Sequence, residues 1–247
     1  ISLYAANVEV DKQASPNLRM DKAPNGIPLV NIEAPNEKGW SHNVFREYHV
    51  GKEGIIYNNG LYFSDSQLGG VIYGNPNLQA GQKTAGTILT EISGSGRSKL
   101  EGFTEIAGDK ANYILANPNG IYINGAGFLN TPQVTLTTVK ADTETVSGGK
   151  IEIDGKGVDL RNVNRSAVIT RVAELSGPVY GGKEVIFQLG KGVAEGEEKP
   201  EFSFDARALG SLYAGRIEII SNEKGVGVKS LAPLRATAAD LHMSVQG

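Results

Sequence analysis

The chain has 247 residues, 40% of them hydrophobic, enough for one large domain or two ordinary ones, and its formal net charge of -3 gives no footing for nucleic acid or an anionic membrane surface, both of which select basic patches. Without cysteine it has no disulfide, thiol nucleophile or thiolate metal site. Glycine supplies 32 residues, nearly twice the average share of about 7%, which points to many sharp turns around a real core.

The sequence opens on Ile1 rather than Met, which marks a processed chain or a fragment, and it holds no apolar span of about 18 residues. "ISLYAANVEVD" and "GIPLVNIEAP" read as short strands, because Pro24, Pro28 and Pro35 argue against a long regular element. From "GWSHNVFREYHVGKEGIIYNNGLYF" onward the apolar residues come in bursts between Gly and Asn: Val44 and Phe45, Ile55 and Ile56, Leu61 and Phe63. "EISGSGRSKLEG", 91–102, reads as a flexible or hairpin-like excursion. Beyond Thr131 the strands become more regular, over 134–139, 150–154, 167–174, 183–189, 202–204, 216–221 and 225–229. The charged run from Val193, with Glu195, Glu197, Glu198, Lys199 and Pro200, predicts a surface loop. The closing "RATAADLHMSVQG" predicts a less regular or incomplete edge.

Short strands with glycine corners suit a sandwich, an open barrel or a coil of stacked rungs. "GGKIEIDGKGVDL", "GGKEVIFQLGKGV" and "AGRIEIISNEKGVGV" start at 148, 181 and 214, a constant interval of 33 residues, with related strand and turn chemistry. That spacing favours the coil, a parallel β-helix, in which neighbouring rungs supply each strand's backbone partners and a continuous apolar interior. By strand alternation Ile151 and Ile153, Val185 and Phe187, and Ile217 and Ile219 then face inward.

Two Asn-Pro-Asn corners stand out, in "GNPNLQAG" at 74–81 and "ANPNGIYINGAGFLNTP" at 116–132. Proline presets φ for the second position of a type I turn, Asn at the first bonds to local backbone, and Gly at the fourth relieves the exit. Asn117, Pro118, Asn119 and Gly120 meet the scheme throughout, whereas Asn75, Pro76, Asn77 and Leu78 lack the glycine. Each corner reads as a stable turn or as a surface recognised by another protein. His42 and His49 have no metal-ligand spacing and, like the distant His242, read as turn or interface residues; Asp205 with Arg207 reads as a surface network rather than acid-base machinery. Tyr57, Tyr62, Tyr73 and Tyr122 offer an alternative function, an adhesive face for a glycan or a surface protein, if they share one exposed side.

The ordered segments "VNIEAPNEKGWSHNVFREYHVGKEGIIYNN", "LGGVIYGNPNL", "GRSKLEGFTEIAGDKANYILANPNGIYINGAGFLNTPQVTLTT" and "GKIEIDGKGVDL" resemble the filamentous-haemagglutinin-like two-partner secretion domain, most of all its branch of contact-dependent growth inhibition proteins and large adhesins, with haemolysin-like relatives alongside. The resemblance implies an all-β, right-handed parallel β-helix with an amino-terminal cap and extra-helical strands or a hairpin. It implies one domain over 1–247, capped over about 1–50 and coiled over 51–230. Asn75, Pro76, Asn77 and Leu78 match the family's first motif, and Asn117, Pro118, Asn119, Gly120 and Ile121 its second. The implied function is non-enzymatic: periplasmic polypeptide-transport-associated domains of a cognate outer-membrane β-barrel transporter engage the domain, which starts export and folding of a larger exoprotein. The destination is the surface or surroundings of a Gram-negative cell, with no cofactor, no nucleic acid and no stable membrane insertion. Where many growth-inhibition relatives carry a Cys-x-x-Cys pair, this sequence has Ile123 and Ala126.

Overall fold

One buried side chain alternating with one outward side chain, along strands of two to nine residues, sets the architecture. The computed structural model describes residues 7–140, 145–146, 149–190, 202–206, 212–222, 227–230, 233–236 and 241–245. The chain begins with β1 (Val8–Val10), β2 (Arg19–Lys22), β3 (Pro28–Asn31), β4 (Trp40–Tyr48) and β5 (Ile55–Asn59). A hairpin of β6 (Ser64–Ser66) and β7 (Gly70–Ile72) and a helical turn α1 (Pro76–Gln79) follow. Two rungs come next, β8 (Thr87–Ile92), β9 (Ser98–Leu100), β10 (Phe103–Gly108), then β11 (Asn112–Ala116), β12 (Ile121–Ile123), β13 (Ala126–Leu129). The third rung is β14 (Gln133–Thr137), a hairpin of β15 (Val139–Lys140) and β16 (Thr145–Val146), β17 (Lys150–Ile153) and β18 (Val158–Asp159). Then come β19 (Arg165–Thr170), β20 (Val172–Leu175), β21 (Val179–Tyr180), and β22 (Glu184–Leu189), β23 (Phe202–Ala206), β24 (Leu212–Ala214). The last turns are β25 (Arg216–Ser221), β26 (Gly227–Ser230), β27 (Leu234–Ala236) and β28 (Leu241–Val245).

These strands build three long sheets wound as a right-handed parallel β-helix. The first sheet runs β1-β4-β8-β11-β14-β19-β22-β25-β28, the second β2-β3-β5-β10-β13-β18-β21-β24-β27, and the third β9-β12-β17-β20-β23-β26. Apart from the two hairpins, the pairings among named strands are parallel except β1 with β4 and β2 with β3, which lie antiparallel at the leading ends of the first two sheets. Val50 bridges to Leu100 at the leading end of the third.

Inside, side chains stack rung on rung: Leu115, Leu136, Val168, Phe187 and Ile219 are successive register partners in the first sheet, and all are buried. Each such burial contributes about 1.5–3 kcal/mol. The six interior positions expected from alternation, Ile151, Ile153, Val185, Phe187, Ile217 and Ile219, are all buried. Ile123 and Ala126 are core residues too, so the positions aligned with a cysteine pair serve packing.

The 33-residue interval is not the rung repeat. Val185 does lie opposite Ile217, so 181 to 214 spans one rung, but Ile151 belongs to the third sheet, between Ile121 and Ala173. Rungs differ in length: Ser166 opposes Val185 after a short rung, Val185 opposes Ile217 after a long one. Much of the variation sits where the chain passes from the first sheet to the third. That corner is only Arg171 between β19 and β20, yet it admits the whole β15–β16 hairpin between β14 and β17.

Other expectations change as well. The single strand at 167–174 is two, bent at Arg171, where the stacked Thr138 and Thr170 hydroxyls lie 2.9 Å apart; Thr170 and Arg171 are both buried, so alternation shifts by one residue at a polar pair that gave no sign of it. The 91–102 segment is no excursion but a rung corner from β8 to β9, with Gly94 set against the Arg46 carbonyl, where a Cβ would come within 2.1 Å. Of the two readings of the terminal segment, irregularity gives way to a strand, β28, while the edge reading holds: β28 is the last strand of its sheet, paired in parallel with β25 and exposing Leu241, Met243 and Val245. The acidic cluster from Glu195 to Lys199, and Arg207 as partner of Asp205, lie outside the described residues.

Outside the coil, the β6–β7 hairpin covers a small second core of Ala23, Leu29, Ile56, Ile72 and Ala107. The buried Glu105 carboxylate holds it there, accepting from the Ser66 hydroxyl and from the backbone N–H groups of Gln67 at 2.8 Å and Leu68 at 3.0 Å. Asn25 and Asn58 add amide donors to the carbonyls of Leu68 and Tyr73.

Candidate functional site: the two Asn-Pro-Asn corners

Asn75 caps the helical turn α1. Its Oδ1 accepts from the Asn77 N–H at 2.9 Å, and its carbonyl accepts from the N–H groups of Leu78 and Gln79. Its Nδ2 donates inward to the carbonyls of Ile32 and Asn58, each at 3.0 Å, while Asn77 Nδ2 donates to Asn17 O at 2.7 Å and Ile32 O at 3.0 Å. Asn75 is fully buried, and Leu78 drops into the main core. Pro76 suits the first helical position because no N–H is needed there. The sequence scheme makes this corner a weaker version of the second; the structure instead continues it into a helical turn, which needs no glycine at its fourth position.

Asn117 repeats the wiring between β11 and β12. Oδ1 accepts from Asn119 N–H at 2.9 Å, the carbonyl accepts from Gly120 N–H at 3.1 Å, and Nδ2 donates to Gly96 O and to the Ser98 hydroxyl. Asn119 Nδ2 reaches Gly94 O at 2.7 Å. Asn117 is fully buried and Ile121 enters the core. Gly120 has φ +118°, open to glycine, and a Cβ there would stand 3.0 Å from Lys150 O. The amides of the two corners reach different partners. Each ties the chain to a segment laid down earlier, 17–58 for the first and 94–98 for the second. The acceptors Asn17, Asn58 and Ser98, like Glu105, carried no sequence signal beyond the turn-forming Asn58-Asn59-Gly60 run.

The tyrosines separate. Tyr57 is buried with Tyr48, Tyr113 and Thr90 in a hydroxyl cluster, its phenol 2.8 Å from Tyr48, 2.7 Å from Thr90 and 3.1 Å from Tyr113. Tyr122 lies on the third sheet with its hydroxyl on Asp154, and only Tyr62 and Tyr73 share the hairpin region. Burial pushes the Tyr48, Tyr57 and Tyr113 phenols above their ordinary value of 10.0. Above about pH 10 the unfolded chain releases phenolic protons that the fold retains, so stability falls as pH rises. Thermal unfolding midpoints are expected to drop between about pH 9.5 and 11, less steeply in Tyr57→Phe; a flat profile would contradict the buried cluster.

The histidines also separate. His42 Nε2 meets the Glu91 carboxylate, which raises its pKa, while His49 Nδ1 accepts the Lys99 N–H at 3.1 Å and burial lowers its pKa. His242 is exposed on β28. Among the described residues no three His, Asp or Glu side chains converge as a metal site, and no helix is long and apolar enough to cross a membrane.

Comparison with known proteins agrees with this framework. The family model described as the TPS secretion domain matches residues 6–247. A 16S rRNA endonuclease CdiA from Enterobacter cloacae is 42% identical over 94% of this chain, and a tRNA nuclease CdiA from Yersinia mollaretii 39% identical over 99%. The chain spans only 8% and 9% of the lengths of those relatives. The crystal structure of a filamentous hemagglutinin secretion domain superposes with a TM-score of 0.82 at 30% identity, covering 92% of this chain and 83% of that one. The chain therefore belongs to the TPS secretion domain family, as a non-enzymatic secretion module exported to the cell surface or the extracellular space.

Proposed function

We propose that this domain guides export by engaging the periplasmic polypeptide-transport-associated domains of its outer-membrane transporter, and that the Asn-Pro-Asn corners serve this through the fold they fix. Family membership implies the transporter; the contact through its periplasmic domains and the role of the two corners are our reading. The observation that carries it is the inward direction of Asn75 and Asn117, whose amides are spent on the protein's own backbone and on Ser98. The domain starts translocation and folding of a larger exoprotein that crosses the periplasm of a Gram-negative cell. Within it we assign about 1–50 to a cap and the chain from 51 onward to the coil, which passes the expected end at 230 because β27 and β28 continue the second and first sheets. Supporting this division, both antiparallel pairings of the long sheets, β1 with β4 and β2 with β3, fall within residues 8–48, although β4 already pairs in parallel with β8.

Asn117→Ala tests the reading. It removes two inward donor bonds and the turn acceptor, a loss of about 1–2 kcal/mol, and is expected to lower export through the matched transporter more than Lys156→Ala. Secretion, purified-domain stability and binding to the transporter's periplasmic domains are measured on the same variant. Export that falls together with stability supports the architectural role, whereas normal stability with lost binding makes Asn117 a direct contact. Export of the wild-type domain without the transporter, and no binding when it is supplied, would remove the guidance function itself.

A further inference from the structure

The outward face of the β6–β7 hairpin gathers Tyr62, Phe63, Val71 and Tyr73, which are 67, 68, 51 and 72% exposed. The Phe63 and Tyr73 rings lie 4.9 Å apart with planes at 52°. Folding does not need this face, because the hairpin buries Ile72 on its other side. The platform is nonetheless held in place, by Glu105 beneath the loop and by Asn58 on the Tyr73 carbonyl. Exposed apolar groups on a fixed support mark a binding surface.

A groove of about 180 Å³ runs beside the rings, lined by Tyr62, Phe63, Ser64, Thr84 and Asp109 with glycine backbone between them. The Thr84 hydroxyl donates to Asp109 Oδ2 at 2.7 Å, and the Tyr62 hydroxyl to Gln82 Oε1 at 3.1 Å. Among the described residues Asp109 is the one charged group lining the groove, and Asp65, opposite Val71 on the hairpin, adds a second carboxylate on the ring side.

We propose that this hairpin face binds an uncharged glycan. The apolar C–H face of a sugar ring packs on an aromatic ring, while its hydroxyls donate to carboxylate and amide oxygens that accept only. With the Asp109 carboxylate and no lysine or arginine among the described residues lining the groove, a sialylated or sulfated glycan is disfavoured there; beside Val71 and Tyr73, Lys22 is accompanied by Asp21. The surface is distinct from the buried Asn-Pro-Asn amides, so this inference stands or falls separately from export guidance.

The test is an NMR titration of the ¹⁵N-labelled domain with lactose, maltotriose, chitotriose and methyl α-mannoside, and with 3′-sialyllactose as the acidic comparison. At least one uncharged probe is expected to shift amides at 60–64, 71–73, 84 and 108–109 saturably. Tyr62→Ala and Phe63→Ala should each weaken that binding about tenfold with the unfolding midpoint unchanged. Asp109→Asn provides a milder variant that keeps an acceptor for Thr84, and it too should weaken binding. The proposal is overturned if no uncharged probe moves these amides, if the shifts persist in the aromatic variants, or if sialyllactose binds as well. It is equally overturned if the same amides shift with protein concentration alone, which would make the patch a contact between copies.

Discussion

Phe187→Asp is expected to abolish cooperative folding of the coil, while Lys156→Ala leaves the unfolding midpoint nearly unchanged. Phe187 is fully buried between its register partners Val168 and Ile219. Replacing it forfeits about 3–5 kcal/mol of packing and leaves a carboxylate with no cation among its stacked neighbours, a further penalty of several kcal/mol. Their sum rivals the about 5–15 kcal/mol that holds a typical domain together. Lys156 projects into solvent. Urea unfolding followed by circular dichroism decides the matter: a cooperative transition near the wild-type midpoint in Phe187→Asp would mean that this side chain is not interior.

Asn75→Asp is expected to be more damaging than Asn75→Ala, although it preserves shape and the oxygen that caps Asn77. The amide faces the carbonyls of Ile32 and Asn58 with two donors, and a carboxylate would set oxygen against oxygen in a fully buried site. Asn75→Ala removes one donor from each carbonyl, leaving Ile32 O the Asn77 amide, a loss of about 1–2 kcal/mol as at Asn117, and Asn75→Asp should exceed it because a buried charge is added. Denaturant unfolding of the two variants side by side gives the answer. Equal stability of Asn75→Asp and wild type would show that the donors are dispensable and that the acceptor alone matters.

The alternation of buried and outward residues was legible in the sequence because it is local: Ile151, Val185 and Ile217 announce their inward faces within a few residues. Sheet membership was not, because it depends on which distant strand lies beside each segment. Thus Ile151 looked equivalent to Val185 although one stacks in the third sheet and the other in the first. The bend at Arg171 was hidden for a related reason: alternation slips by one residue there, and the two adjacent buried residues that mark the slip, Thr170 and Arg171, are polar and give no inward signal in the sequence. At the corners, the Asn-Pro pairing revealed the turn but not its purpose. Which acceptors Asn75 and Asn117 reach is settled by chain that precedes them by 17 to 43 residues at Asn75 and by 19 to 21 at Asn117. Glu105 was invisible for want of any local pattern; only the hairpin folded over it gives a buried carboxylate three donors.

The corner between the first and third sheets, a single residue at Arg171 but a whole hairpin between β14 and β17, makes the coil indifferent to how much chain is stored there. Rung identity is kept by side-chain stacking, so a graft at this corner alters neither the ladder above nor the ladder below. The same freedom gives evolution a place to add loops without renegotiating the core, and gives an engineer a site for a displayed peptide.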